Sequence, residues 1–151
     1  ACVRAPAVGA LSMREVDDRQ LSAVVALLHG DNDVAVRISA AEKLGEARAA
    51  HRGQALREIE AAYLRDADED VRYTAIFSLV TAGRAEALPV LQRLIGADPA
   101  LDPIVERFAT VLSKGEVDLD AILAEVARME GGTLPPMTPV SEHAPCCEGH
   151  E

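Results

Sequence analysis

The chain has 151 residues, a formal net charge of −10 and a pI near 4.8, which argues against a nucleic-acid-binding or anionic-membrane surface. Hydrophobic residues make up 49% but aromatics only 3%, with no Trp, so the apolar content is mostly Ala, Leu and Val. Such residues suit close helix packing and stack poorly on bases, and no apolar run reaches the length of a bilayer span.

A chain of this size buries roughly two-thirds of its unfolded surface, enough for one domain without staples. The 3 cysteines are too few for a disulfide framework. They sit at the two ends, as Cys2, Cys146 and Cys147, with none between.

Residues 1–17 read as an N-terminal segment. Their Ala1-Cys2 start is compatible with the scar of a lipoprotein signal. A lipid anchor at Cys2 on an exported form therefore stands as the alternative to the cytoplasmic location that reduced thiols favour. A helix near 18–29 follows, capped by Asp17 with Gln20 completing a capping box. Leu21, Val24, Val25 and Leu28 form its apolar stripe, and Gly30 is expected to end it. Asp33 caps a second helix near 34–47, with Val36, Ala40, Ala41 and Leu44 inward.

The pattern then recurs. A helix near 54–65 carries Leu56, Ile59, Ala62 and Tyr63, and one near 69–82 carries Val71, Ala75, Ile76 and Leu79. Val36-Arg37 and Val71-Arg72 align at a spacing of 35 residues, as do Leu21 with Leu56 and Leu44 with Leu79. A period of this size marks stacked helix pairs, each unable to bury its own apolar stripe. Arg37 and Arg72 would recur beside Asp-rich turns and brace them. The acidic run 66–70 reads as a turn that caps a helix.

A third pair is less regular. One helix is expected near 85–96, with Pro89 tolerable only in its first turn, and another near 102–114 with Ile104, Val105, Phe108 and Leu112 inward. A last helix near 119–130 is capped by Asp118, with Leu119, Ile122, Leu123, Val126 and Met129 as its stripe. His29 and His51 read as C-terminal dipole partners or solvated residues rather than ligands.

The stretches DNDVAVRISAAEKLG (31–45) and DEDVRYTAIFSL (68–79) resemble the HEAT-like repeat family, in the short form also found in bilin lyases. The resemblance covers about residues 18–114. It implies an all-α fold, a HEAT-like α-solenoid of about three helix pairs, followed by a C-terminal helix and an extended tail. The domain would span 18–130 and the tail 131–151. The family consists mostly of scaffolds and binding modules, so the resemblance implies a protein partner on the helical surface rather than catalysis.

The tail GGTLPPMTPVSEHAPCCEGHE holds no Lys or Arg and no helical periodicity. Its dense chemistry is His143, Cys146, Cys147 and His150, spaced H-x-x-C-C-x-x-H. Thiolate and imidazole are the ligands that Zn(II) and Cu(I) prefer, and four within eight residues could close on one ion with little loop entropy to overcome. Met137, Glu142, Glu148 and Glu151 are weaker ligands, and Cys2 is a further one if the ends meet. A vicinal redox pair and an inert acidic end are the competing readings. No phosphate loop, Ser/His/Asp order or paired carboxylates appear elsewhere.

Three functions follow. The first is a non-catalytic interaction scaffold with a zinc- or copper-binding tail, suited to an accessory or maturation factor for a metalloprotein. The second is a plain interaction module with an inert tail. The third, implied by the resemblance alone, is a bilin or haem lyase-like protein, against which the scarcity of aromatic and basic residues counts.

Overall fold

The computed structural model describes residues 3–13 and 16–115, and these are all-helical. The first helix, α1 (Arg4–Gly9), lies within the N-terminal segment, where the periodicity alone marked no helix. Pro6 fits there because a first-turn residue needs no amide partner. Val8 of this helix, and Met13 and Val16 after it, are buried.

Helix α2 (Asp18–Gly30) begins at the expected capping box. The Asp17 carboxylate accepts from the Gln20 amide at 2.8 Å, and the Gln20 side chain accepts from the Asp17 amide at 3.0 Å. Leu21, Val24 and Leu28 are buried, whereas Val25 is only half-buried. Gly30 does not end the helix by a left-handed turn. It is the last helical residue, and the following Asp31 leaves in extended conformation.

Helix α3 (Val34–Gly45) is capped by Asp33, which accepts from the Ala35 amide at 2.9 Å. It ends two residues before the expected boundary. Helix α4 (Ala49–Arg65) starts at Ala49 rather than 54, with no side-chain cap on Arg48. Gly53 lies within the helix. Helix α5 (Glu69–Gly83) is capped by Asp68, which accepts from the Asp70 and Val71 amides.

The helix expected near 85–96 is divided. A 3-10 turn (Arg84–Ala87) precedes α6 (Leu88–Leu94), and Pro89 falls in the first turn of α6, where its missing amide costs nothing. Arg84 enters that turn at φ 49°, a conformation usually left to glycine. Gly83 cannot be exchanged for it freely, because a Cβ there would lie 2.9 Å from Leu56 Cδ2 and 3.0 Å from Ala87 Cβ. Helix α7 (Asp102–Ser113) buries Val105, Phe108, Ala109, Val111 and Leu112, while Ile104 is only half-buried. The expected helix near 119–130 and the tail 131–151 lie outside the described residues.

Helix α3 packs on α1, α2 and α5, α4 packs on α5, and α6 packs on α7. The core between them is small-residue rich: Ala40, Ala41, Ala55 and Ala75 are fully buried beside Val36, Leu44, Ile59, Val71, Ile76 and Leu79. Small side chains let backbones approach. At Gly45 the approach is close, because an added Cβ would lie 3.2 Å from the Ser78 Cα.

Candidate functional site

The turns between helices carry the most organised polar chemistry among the described residues. Asp31, Asp66 and Asp98 each accept a hydrogen bond from the amide two residues on, at 2.9, 2.9 and 3.1 Å, which closes three Asx turns. Each carboxylate also receives an arginine from an earlier helix, α1, α3 or α5. Arg4 reaches Asp31 at 3.1 Å, Arg37 reaches Asp66 at 2.8 and 3.1 Å, and Arg72 reaches Asp98 at 2.9 Å. Arg37 and Arg72 also donate back to the carbonyls of Asp31 and Asp66, at 2.9 and 3.0 Å. The turn-bracing reading of Arg37 and Arg72 is therefore what the geometry shows.

Arg4 extends the ladder by one rung that the sequence reading missed. The signal was present: Val3-Arg4 with Ala7 and Leu11 repeats the spacing of Val36-Arg37 with Ala40 and Leu44. The helix is only 6 residues long and contains Pro6, which hid the periodicity.

Electrostatics follow from burial and pairing. Burial alone would raise the Asp66 carboxyl, but the bond from Arg37, the Asp68 amide and the charges of Arg37 and Arg72 outweigh it. They hold Asp66 below the ordinary carboxylate range. The same bond to Asp66 raises Arg37 above its usual value. These side chains are 14% and 9% exposed, so the pair is screened far less than a surface pair.

A cleft of about 340 Å³ opens on this face beside His29, Asn32, Arg37, Arg65 and Asp66. It has no nucleophile–base arrangement, and its carboxylates already hold arginines. His29 bonds Glu58 at 2.9 Å across α2 and α4. His51 corrects the expectation of a C-terminal dipole partner or a solvated residue. It is buried in the first turn of α4, with Nε2 3.2 Å from the Val16 carbonyl and 3.1 Å from Arg48 Nη2. One ring nitrogen cannot donate to the carbonyl and accept from the guanidinium at once, so the tautomer selects between them.

Tyr63 is buried, and its hydroxyl has no hydrogen-bond partner among the described residues. Burial, then the charges of Asp98 and Asp102, push it up to about 12. Three aromatic rings form a row on α5 and α7: Tyr73 and Phe77 at 4.9 Å, then Phe77 and Phe108 edge-on at 5.2 Å.

His143, Cys146, Cys147 and His150 lie outside the described residues, as do Cys2, Met137, Glu142, Glu148 and Glu151. Among the described residues no group of three His, Cys, Asp or Glu side chains is placed to hold a metal ion. No protein-family model matches the chain, and comparison with curated proteins and with solved structures finds no significant match.

Proposed function

We propose that this chain is a non-catalytic interaction scaffold, a HEAT-like solenoid of stacked helix pairs, whose C-terminal tail binds zinc or copper. The observation that carries the scaffold reading is the ladder Arg4–Asp31, Arg37–Asp66, Arg72–Asp98, which joins successive helical layers by one repeated set of bonds. A repeated inter-layer bond is what a stacked architecture requires, since each pair must be held in register on the next.

The tail reading rests on His143, Cys146, Cys147 and His150, four soft or borderline ligands concentrated in a chain otherwise poor in them. The body would dock a protein partner while the tail presents the ion. The arrangement suits an accessory factor for a metalloprotein, in the cytoplasm where thiols stay reduced.

Elemental analysis of the full chain, purified without added metal or chelator, tests this. The unsubstituted chain is expected to carry metal, and Cys146→Ser with Cys147→Ser to lose it. Equal metal content in the two would remove the tail reading.

A further inference from the structure

We propose that the cleft between the turns that follow α2 and α4 binds a small oxyanion, a phosphate or a carboxylate, with Arg65 as its principal ligand. This goes beyond the scaffold reading and holds whether or not the tail carries a metal. The cleft, of about 340 Å³, brings His29, Asn32, Arg37, Arg65, Asp66 and Ala67 to one place.

Exposure separates its floor from its walls. The floor is Asp31 with the Arg37–Asp66 rung, whose side chains are 8%, 14% and 9% exposed. Asp66 is neutralised by Arg37, and Asp31 by Arg4. The walls are Arg65, Asn32 and His29, all exposed residues. A ligand therefore meets a cation and donors rather than free carboxylates.

The Arg65 guanidinium has no hydrogen bond or ion pair among the described residues. Its planar fork of N–H donors matches two oxygens of a phosphate or a carboxylate. The Asn32 side chain and the backbone amides of Asn32 and Ala67 are likewise unbonded among the described residues. His29 is offset by Glu58 at 2.9 Å. Arg4, Arg37 and Arg65 thus stand against Asp31 and Asp66, three positive charges against two negative. The net charge of −10 opposes anions at long range, but salt screens that repulsion beyond roughly 10 Å.

A role in bracing the turns would recur along the chain, as the ladder does. The walls do not recur. At the spacing of 35 residues, His29 and Asn32 correspond to Leu64 and Ala67. Asp98 follows Asp66 by 32 residues, and at that step Arg65 corresponds to Ala97. The next pair of turns keeps its rung, Arg72–Asp98, without the polar walls. Arg65 also lies in the last turn of α4, where a cation complements the helix dipole. That role acts on stability and needs neither the cleft nor Asn32.

Nuclear magnetic resonance titration of the full chain at constant ionic strength tests the proposal, with inorganic phosphate and a short polyglutamate peptide as separate probes. Phosphate is expected to shift the amides of Asn32 and Ala67 and the Arg65 side chain, and Arg65→Ala to weaken binding about tenfold through loss of a paired, charge-assisted contact. Arg57→Ala removes another exposed cation of α4, outside the cleft, and should leave binding unchanged. Should Arg65→Ala disturb folding, Asn32→Ala gives the same reading from an exposed turn. The same shifts produced by the peptide in place of phosphate would support the site, with a protein carboxylate as its source. Shifts spread equally over Arg19, Arg57 and Arg84, binding indifferent to Arg65→Ala, or no response to either probe would overturn it.

Discussion

Arg37 grips the Asp66 carboxylate through two guanidinium nitrogens, at 2.8 and 3.1 Å, and holds the Asp31 carbonyl with a third at 2.9 Å. One side chain thus ties two successive inter-helix turns together. Arg72 does the same between Asp66 and Asp98. Asp66 is the shared member, accepting from one arginine through its carboxylate and from the next through its carbonyl.

Arg37→Ala should cost about 2 kcal/mol, because it strands a carboxylate that is 9% exposed and breaks three charge-assisted bonds. Arg4→Ala should cost less, about 1 kcal/mol: it also leaves a buried carboxylate, Asp31 at 8% exposed, but it breaks one bond rather than three and Arg4 itself is 56% exposed. Urea denaturation of both variants checks the gradient. Equal costs would mean that the number of bonds each arginine makes does not set the strength of the rungs.

Acid should weaken the fold through Asp66. The folded protein holds this carboxyl below its unfolded value, so the unfolded chain takes up the proton first. The stabilisation is complete above the ordinary carboxylate value of about 3.9 and is lost as pH falls through the lower folded value. Arg37 stays charged throughout. Unfolding free energies measured from pH 5 downward should fall more steeply for the native chain than for Asp66→Asn.

Two glycine substitutions should act with opposite signs. Glycine within a helix ordinarily costs about 1 kcal/mol relative to alanine. At Gly53 only Arg57 Nη1 comes near an added Cβ, at 3.8 Å, so Gly53→Ala should stabilise by up to about 1 kcal/mol. At Gly45 the neighbour is the Ser78 backbone at 3.2 Å, which cannot swing away. Gly45→Ala should therefore destabilise, by about 1–3 kcal/mol. Thermal melts of the two variants check the sign.

Tyr63→Phe should be neutral or stabilising, because it removes a buried hydroxyl that has no partner among the described residues. The native chain should lose stability as pH rises above about 10 toward 12, since its tyrosine resists ionisation only when folded. Tyr63→Phe should flatten that alkaline loss. A clear destabilisation by Tyr63→Phe would show that the hydroxyl is bonded in solution.

Much of the helical layout was legible because its signals are local. Asp17, Asp33 and Asp68 cap the helices their positions suggested, and the stripes beginning at Leu21, Val36 and Val71 are buried apart from Val25. The departures have tertiary causes. Helix α4 starts early because its first turn is secured by the packing of His51 rather than by a cap. Gly30 and Gly83 serve as helical residues, and the left-handed position falls on Arg84. The ladder was half visible: Arg37 and Arg72 stood beside acidic turns, but their partners lie 29 and 26 residues away, beyond any local pattern. The aromatic row was not visible, since it depends on how α5 meets α7. The tail cluster was legible as chemistry, because soft ligands are rare enough to stand out wherever they fall.

X-ray absorption at the metal edge of the full chain asks whether four tail side chains close on one ion. The expected shell is two sulfurs at about 2.3 Å and two nitrogens at about 2.0 Å, from Cys146, Cys147, His143 and His150. A shell without sulfur would contradict the tail as a metal site, and so would a metal-free chain in which Cys146 and Cys147 are joined.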